Sequence, residues 1–449
     1  MSEGVDTVSM DAPPRLAVDR LLDDRETRII VCCGAGGVGK TTTAAALGVR
    51  AAGRGRKAVV LTIDPARRLA QSMGIDSLDN TPRKVETVGA GNGELHAMML
   101  DMKRTFDEIV EAHADGERAK AILANPFYQS LSAGFAGTQE YMAMEKLGQL
   151  RARDDWDLII VDTPPSRSAL DFLDAPKRLG SFLDGKFIRV LMAPAKVGGR
   201  AGMKFLNVGM SMMTGTLSKL MGASLLKDVQ TFVAAMDTMF GGFRTRADAT
   251  FRLLQAPGTA FLVVAAPEAD ALREAAYFVE RLAAESMPLA GLVLNRVHGS
   301  GADQLSAERA LAAAENLEEG GIVDQESGKA GLRDSGAEPK GTAETAGSAE
   351  TAQTAHSTRT TRTANPPETG SPGTEGDTAV VDRITAGLLR LHAERMQVIA
   401  REQRTRDRFT SLHPEVAVAE VAALPGDVHD LAGLRAIGER LAAGVPAGA

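Results

Sequence analysis

The sequence predicts an α/β protein built on a doubly wound, mostly parallel β-sheet. Apolar runs typical of buried strands alternate with longer helical segments along most of the 449 residues, and parallel strands require such crossovers. A glycine-rich segment also joins the first apolar run to the first helix. We expect strands at Ile29–Cys33, Lys57–Ile63, His96–Asp101, Leu158–Val161, Thr259–Ala266, Ala290–Asn295 and Val416–Leu424.

Helices are expected between these strands, because the segments there are longer and place apolar residues at helical spacing. The first begins directly after the glycine-rich segment, at Thr42. The others are expected at Lys103–Leu123, Pro126–Leu131, Gln139–Leu150, Glu268–Ala284, Val380–Arg406 and Leu431–Leu441.

The composition excludes several classes of protein. Hydrophobic residues make up 44% and charged residues 24% of the chain, as in ordinary globular proteins. The net charge of −7 gives no indication of nucleic-acid binding. We find no apolar run of the ~20 residues that span a bilayer and no signal-peptide pattern, so we expect a cytoplasmic protein. Cys32 and Cys33 are adjacent in the first strand and are expected to be small buried hydrophobic residues.

The segment Gly34–Thr41 has the pattern of a phosphate-binding loop, because it lies between a buried strand and a new helix. Glycines allow successive backbone N–H groups to curl around a polyphosphate, and the helix adds its positive N-terminal end. Lys40 would place a charge on the β- and γ-phosphates, and the Thr41 hydroxyl would ligate Mg²⁺. The pattern therefore predicts a nucleotide and Mg²⁺ as ligands.

Two acidic residues end predicted strands. Asp64 follows the second strand and precedes Pro65, which disfavours helix at Asp64. Its carboxylate either orients the water that attacks the γ-phosphate or caps the next helix. Asp162 ends an apolar run in the manner of a Walker B strand, whose carboxylate holds Mg²⁺ through water. Residues 163–166 would then form a switch that senses the γ-phosphate.

Two segments depart from the strand–helix alternation. Residues 176–256 have no strand-like run and are rich in methionine and phenylalanine, which predicts a helical insertion. Its methionines either fill an ordinary helical core or form an adaptable surface for apolar partners. Residues 318–378 are dominated by small and polar residues and are expected to be disordered. The arginine-rich helix Val380–Arg406 follows; its arginines form either a solvated face or a contact with lipid or an acidic partner.

Several motifs in order resemble the ArsA-type ATPases, the family of arsenite-pump and tail-anchored-protein-targeting ATPases with a deviant phosphate loop. The resemblance covers nearly the whole chain outside the first ~25 residues and the low-complexity insert. The matching segments are Gly36-Gly37-Val38-Gly39-Lys40-Thr41-Thr42, Thr62-Ile63-Asp64-Pro65-Ala66, Gly137 to Glu145, Asp162-Thr163-Pro164-Pro165, Val293-Leu294-Asn295-Arg296 and the loop from Leu424.

The resemblance implies a role for each matching residue. Lys40, Asp64 and Asp162 would be the catalytic residues, with Asp64 orienting the attacking water and Thr41 and Asp162 holding Mg²⁺. Residues implied to bind ATP are Gly36, Gly37, Val38, Gly39, Lys40, Thr41 and Thr42 on the phosphates, and Asn295 and the Pro425 loop on the adenine.

The chain also departs from the family pattern. Ala35 stands where the family has a lysine that reaches the nucleotide of a partner subunit, so hydrolysis should be slow unless a paralogous partner supplies that lysine. The zinc-binding and metalloid-binding cysteines of family members are absent, and arsenite binding requires soft thiolates. Residues 166–168 read Ser-Arg-Ser where the family has a Thr-Gly-His run.

The resemblance thus implies a P-loop ATPase that closes as a homodimer, or as a heterodimer with a paralogue, around ATP. Closure would reshape the methionine-rich insertion to handle a hydrophobic client or a membrane-protein partner. The alternative is a nucleotide-binding regulatory subunit with little hydrolysis. The predicted organisation is a flexible arm at 1–26, a nucleotide-binding domain at 27–175, 257–317 and 379–449, the helical insertion at 176–256 and the disordered insert at 318–378.

Overall fold

The computed structural model describes residues 14–63, 68–86, 93–126, 128–129, 132, 138–164, 242, 245–320 and 374–443. Most of the predicted methionine-rich insertion, most of the low-complexity insert and residues 1–13 lie outside this described part. The same holds for Asp64 and for the Ser-Arg-Ser segment at 166–168.

One eight-stranded sheet organises the described chain, in the order β3-β4-β2-β5-β1-β6-β7-β8. Every neighbouring pair is parallel except β3 and β4, which are antiparallel. This confirms the predicted α/β class with a mostly parallel sheet. The strands are β1 Ile29–Cys33, β2 Lys57–Thr62, β3 Arg83–Lys84, β4 Glu94–Met99, β5 Leu158–Asp162, β6 Thr259–Ala265, β7 Leu289–Val297 and β8 Val418–Ala422.

Helices connect the strands and cover both faces of the sheet. They are α1 Val18–Asp23, α2 Lys40–Gly53, α3 Arg68–Ser72, α4 Met102–His113, α5 Gly116–Leu123, α6 Thr138–Arg153, α7 Ala269–Ala284, α8 Ala307–Gly320, α9 Thr374–Leu412 and α10 Leu431–Ala443. Residues 245–255, at the end of the predicted insertion, are also helical.

The sheet separates two hydrophobic cores, because successive side chains of a strand point to opposite faces. In β1, Ile29, Val31 and Cys33 enter the core that α4, α6 and α7 cover, whereas Ile30 and Cys32 enter the core that α2 and α10 cover. All five residues of β1 are buried. A central strand that is apolar on both faces is what a doubly wound sheet requires.

Residues 14–26 pack firmly on the sheet, although the sequence predicted a loosely docked arm there. The amide of Leu16 donates to the carbonyl of Val418 at 3.0 Å, and Val418 donates to Pro14 at 2.8 Å. Val18 and Leu22 are buried in the core beside α2. This segment therefore extends the β8 edge of the sheet and is part of the folded domain.

Two other local predictions differ from the structure. The helix predicted over Lys103–Leu123 is two helices, because the side chain of Asp115 accepts a hydrogen bond from the amide of Arg118 and caps a new helix, α5. Asp101, predicted as the end of a strand, instead caps α4. β3 was not predicted, since a two-residue strand carries no periodic pattern.

The chain divides into two compact units. The larger contains Met1–Asp303 and Val398–Ala449, and the smaller contains Gln304–Gln397. Within the smaller unit, α8 and the first part of α9 are joined by an ion pair between Arg390 and Glu318 at 2.5 Å. None of the helices in the described part of the chain combines the length and the apolarity that a bilayer crossing demands.

Arg56 joins the N-terminal segment to the sheet. Its side chain is 1% exposed, and its two terminal nitrogens donate to four backbone carbonyls at 2.5–2.9 Å. These carbonyls belong to Leu22, Asp24, Thr27 and Asp157. A planar guanidinium can satisfy all four at once, which a lysine ammonium with three donors cannot.

We predict that Arg56→Lys lowers the free energy of unfolding by about 2–4 kcal/mol, because buried carbonyls lose charged donors. Urea denaturation followed by the fluorescence of Trp156, the single tryptophan, measures this change. Arg54→Lys is the matched control, since Arg54 pairs with Asp19 and Asp23 at the surface and should change the stability by about 1 kcal/mol or less. Equal effects of the two substitutions would contradict the role assigned to Arg56.

Candidate functional site

The candidate site lies where the parallel strands end. Cys33, Thr62 and Asp162 end three adjacent strands, β1, β2 and β5. The strand register places Asp162 level with Cys32 on one side and with Thr62 on the other. Ligands of open α/β sheets bind at this edge, so the topology brings together the residues that the sequence predicted as a site.

Glycines give the loop after β1 a backbone conformation that other residues avoid. Gly37 and Gly39 have φ angles of +77° and +95°. Gly34 has φ +147°, and a Cβ there would lie 2.1 Å from the carbonyl oxygen of Val264. This contact excludes any side chain at position 34, so the loop must leave β1 against the backbone of β6.

Lys40 begins α2 and lies within the loop. Its side chain is 6% exposed, and Nζ donates to the carbonyls of Gly34 at 3.0 Å and Ala35 at 2.7 Å. Gly39, which precedes α2, has no side chain that could cap the helix. No side chain of Gly39 therefore competes with an anion for the N–H groups at the start of α2, beside the Lys40 ammonium.

Asp162 connects the loop helix to two strands. The carboxylate is fully buried, and its Oδ2 accepts hydrogen bonds from Thr41 Oγ1 at 2.7 Å and from Thr62 Oγ1 at 2.9 Å. The hydroxyl and the carboxylate are the oxygen donors that Mg²⁺ prefers. Since the two groups already touch, the residues predicted to hold Mg²⁺ fit such an ion.

Asn295 also contacts the loop. Its side chain is 7% exposed, and Nδ2 donates to the carbonyl of Val38 at 2.8 Å. A Cβ at Gly39 would lie 2.2 Å from the same nitrogen, which gives a second reason for glycine there. Pro425 is exposed in the segment after β8, the neighbour of β7. The binding of adenine by Asn295 and Pro425 stays a prediction, as do the contacts of Gly36 and Thr42 with phosphate.

Asp64 lies outside the described residues, and Ile63 is the last described residue before it. Ile63 is buried after β2, and its carbonyl accepts a hydrogen bond from Gln139 Nε2 at 3.0 Å. Gln139 is in the first turn of α6, so this helix is attached to the backbone from which Asp64 follows. The role of Asp64 stays a prediction.

Sequence reasoning assigned no individual role to Thr62 or Gln139, and it placed Thr163 only in the predicted switch. Thr62 contacts Asp162, Gln139 contacts Ile63, and Thr163 Oγ1 donates to the carbonyl of Cys32 at 2.9 Å. Thr62 could have been identified once β2 was placed next to β5, since Thr62 ends β2 and Asp162 ends β5.

Burial raises the pKa of both cysteine thiols, that of Cys33 to about 12. The negative charge of Asp162 adds to this effect on the pKa of Cys32. The thiols are therefore protonated near neutral pH, and neither provides the thiolate that soft ligands require.

Comparisons with known proteins agree with this geometry. A family model described as Anion-transporting ATPase matches residues 27–319. The chain is 31% identical over 173 residues to the ATPase GET3 of Malassezia globosa, which covers 38% of this chain and 49% of that protein. It is 26% identical over 298 residues to the ATPase GET3 of Podospora anserina, which covers 65% of this chain and 80% of that protein.

A third relative is a putative arsenical pump-driving ATPase of Halobacterium salinarum, 28% identical over 204 residues, or 43% of this chain and 31% of that protein. The family match begins just before β1 and ends within α8, so it includes the loop, Asp162 and Asn295. With the loop, its lysine and the strand-end carboxylate in place, this match shows that the chain belongs to the ArsA-type anion-transporting ATPase family.

Proposed function

We propose that this protein is a Mg²⁺-dependent ATPase whose nucleotide cycle drives a helical subdomain that handles a hydrophobic client. The observation that carries the proposal is the cluster of Lys40, Thr41 and Asp162 at the start of α2, with hydroxyl and carboxylate 2.7 Å apart. Family membership supports hydrolysis of ATP. The three relatives are named as ATPases, so the alternative of a regulatory subunit with little turnover is not favoured.

In the proposed mechanism, the loop amides and the first turn of α2 bind the phosphates of ATP. The Lys40 ammonium leaves the carbonyls of Gly34 and Ala35 and binds the β- and γ-phosphates. Asp64, which follows β2 by two residues in the sequence, would orient the attacking water and accept its proton. Most of the catalysis is positioning and charge stabilisation, as in other phosphoryl transfers.

Thr41 and Asp162 would hold Mg²⁺, the latter through water, and the bound ion would neutralise charge on the phosphates. Thr62 keeps the Asp162 carboxylate oriented through its 2.9 Å hydrogen bond. Asn295 and the Pro425 loop would contact the adenine, and Gly36 and Thr42 would contact the phosphates.

α6 offers a physical route from the nucleotide site to the insertion. Its first turn binds the carbonyl of Ile63 through Gln139. Six residues further along α6, Glu145, which is 6% exposed, forms a 2.8 Å ion pair with Arg246 of the helix over residues 245–255. That helix forms the C-terminal end of the predicted insertion over residues 176–256. A shift at the end of β2 would therefore be transmitted to the base of the insertion through one rigid helix.

We further propose a cytoplasmic protein that closes as a homodimer, or as a heterodimer with a paralogue, around ATP. The methionine-rich residues 176–241, which lie outside the described part, would form the client-binding surface. A hydrophobic segment of another protein is the client class that such a surface fits.

The first test concerns the charge in the loop. We predict that Lys40→Ala lowers kcat/KM for ATP by about 100-fold or more, because the phosphates lose a preorganised cation. Lys103→Ala is the control, since Lys103 pairs with Asp107 at the surface of α4. Steady-state phosphate release and binding of a fluorescent ATP analogue measure the two effects. Unchanged binding and turnover in Lys40→Ala would contradict the proposed site.

The second test concerns the water-orienting carboxylate. Asp64→Ala should lower kcat by about 100-fold or more with little change in ATP affinity, because a general base acts on the chemical step. The exposed Asp76, beyond α3, provides the control Asp76→Ala. Single-turnover hydrolysis separates the chemical step from binding, and wild-type kcat in Asp64→Ala would disprove the assignment.

The third test concerns Ala35. Ala35→Lys should raise kcat by about 100-fold or more if two copies close on ATP, since a cation reaching across the dimer acts like an arginine finger. Ala35→Gln, which has a long side chain without charge, should stay near the wild-type rate. Equal rates of Ala35→Lys and Ala35→Gln would show that no lysine is missing from this site.

A further inference from the structure

The first part of α9 carries an unusually regular apolar stripe on its surface. Val381, Ile384, Leu388 and Leu391 are 59–62% exposed, although each is a large hydrophobic residue. They are spaced three, four and three residues apart, which is the spacing of a and d positions in a heptad. The stripe lies wholly within the smaller unit.

The opposite face of α9 packs against α8. Ala386 and Ala393 are fully buried, as are Ala310 and Ala314 of α8. His392 of α9 also contacts the carbonyl of Leu305 at 2.8 Å, close to the start of α8. α9 is thus held against α8 by one face, and its first part exposes the four residues of the stripe and the neighbouring Val380 on another.

We propose that this stripe is a self-association surface, and that it pairs antiparallel with the same stripe of a second copy of this chain. This association is separate from the proposed ATP-driven dimer and needs no nucleotide. Val380, which is 52% exposed, adds a g position beside the a and d positions, and apolar residues at a, d and g are typical of a helix that packs on another helix. A helix lying on lipid carries aromatic anchors on its apolar face, and residues 374–397 contain no Phe, Trp or Tyr.

The distribution of charge along α9 favours a second copy of this chain as the partner and an antiparallel orientation of the two helices. Residues 374–384 contain three acidic residues and one arginine, whereas residues 390–401 contain three arginines and one glutamate. An antiparallel pair places the acidic end of each helix beside the basic end of the other. A parallel pair would place like charges together at both ends.

Arg395 gives a second reason for the antiparallel direction. It occupies the position four residues after Leu391 and therefore continues the seam. A parallel pair would place two Arg395 side chains in the same layer, where like charges repel. In an antiparallel pair centred on Leu388 and Leu391, each Arg395 meets Ile384 of the other copy. Its aliphatic part can then cover that side chain while its charge stays in water.

The oligomeric state without nucleotide tests the proposal. Sedimentation of the full chain, in a Lys40→Ala background so that ATP-driven closure is removed, should show a dimer. Leu391→Glu should weaken that dimer by about 100-fold or more, since two buried leucines are lost and two charges enter the seam. Gln397→Glu, an exposed change off the stripe in the same helix, should leave it intact. Unchanged helical circular dichroism, together with unchanged Trp156 fluorescence, shows that both variants fold.

Cross-linking tests the direction. With a short thiol cross-linker, a mixture of Leu388→Cys and Leu391→Cys chains should give mainly mixed dimers, because an antiparallel seam packs a positions against d positions. The buried, protonated Cys32 and Cys33 should contribute little background. Cross-linking of each variant mainly with itself would overturn the antiparallel pairing. The proposed self-association would be disproved if the wild-type chain were monomeric at tens of micromolar, or if Leu391→Glu formed a dimer as strong as the wild type. It would also be disproved if the chain were monomeric and bound anionic phosphatidylserine vesicles through Leu391.

Discussion

The candidate site depends on one buried carboxylate and the two hydroxyls that bind it. Asp162 is fully buried, and burial of a carboxylate is costly unless donors face it. Thr41 and Thr62 supply these donors from the loop helix α2 and from β2. The contacts fix the start of α2 relative to the ends of β2 and β5. The Thr41 hydroxyl that donates to this carboxylate is also the proposed direct ligand of Mg²⁺, so the stabilising contact and the proposed metal site share this oxygen.

The glycine loop depends on a different constraint, the close approach of β6. Because β1 lies between β5 and β6, the chain must leave β1 beside the carbonyl of Val264, where no Cβ fits. Asn295 imposes a similar limit at Gly39 from the side of β7. Neighbouring strands therefore shape the loop as much as its own sequence does. The open backbone that results is also what an approaching phosphate requires.

Local patterns were sufficient to predict seven of the eight strands, the glycine-rich turn between β1 and α2 and the position of Asp162 at the end of β5, since each depends on fewer than about ten consecutive residues. Contacts between distant residues were not predictable in this way. Thr62 and Asp162 are 100 residues apart, and Asn295 and Val38 are 257 apart. Finding them requires the strand order. The buried Arg56 was missed for a related reason, because a charged residue before a strand looks exposed until the four carbonyls around it are placed.

α9 shows why one amphipathic pattern can have two meanings. Its arginine content favoured a solvated face, yet the large apolar residues of its first part are the exposed ones and two alanines are the buried ones. The small alanines allow close packing against α8, whereas the bulky side chains of the stripe expose apolar surface to water. A monomer gains nothing from such a stripe, because polar residues at these positions would serve equally well as helix formers. The stripe becomes favourable only when another apolar seam removes it from water.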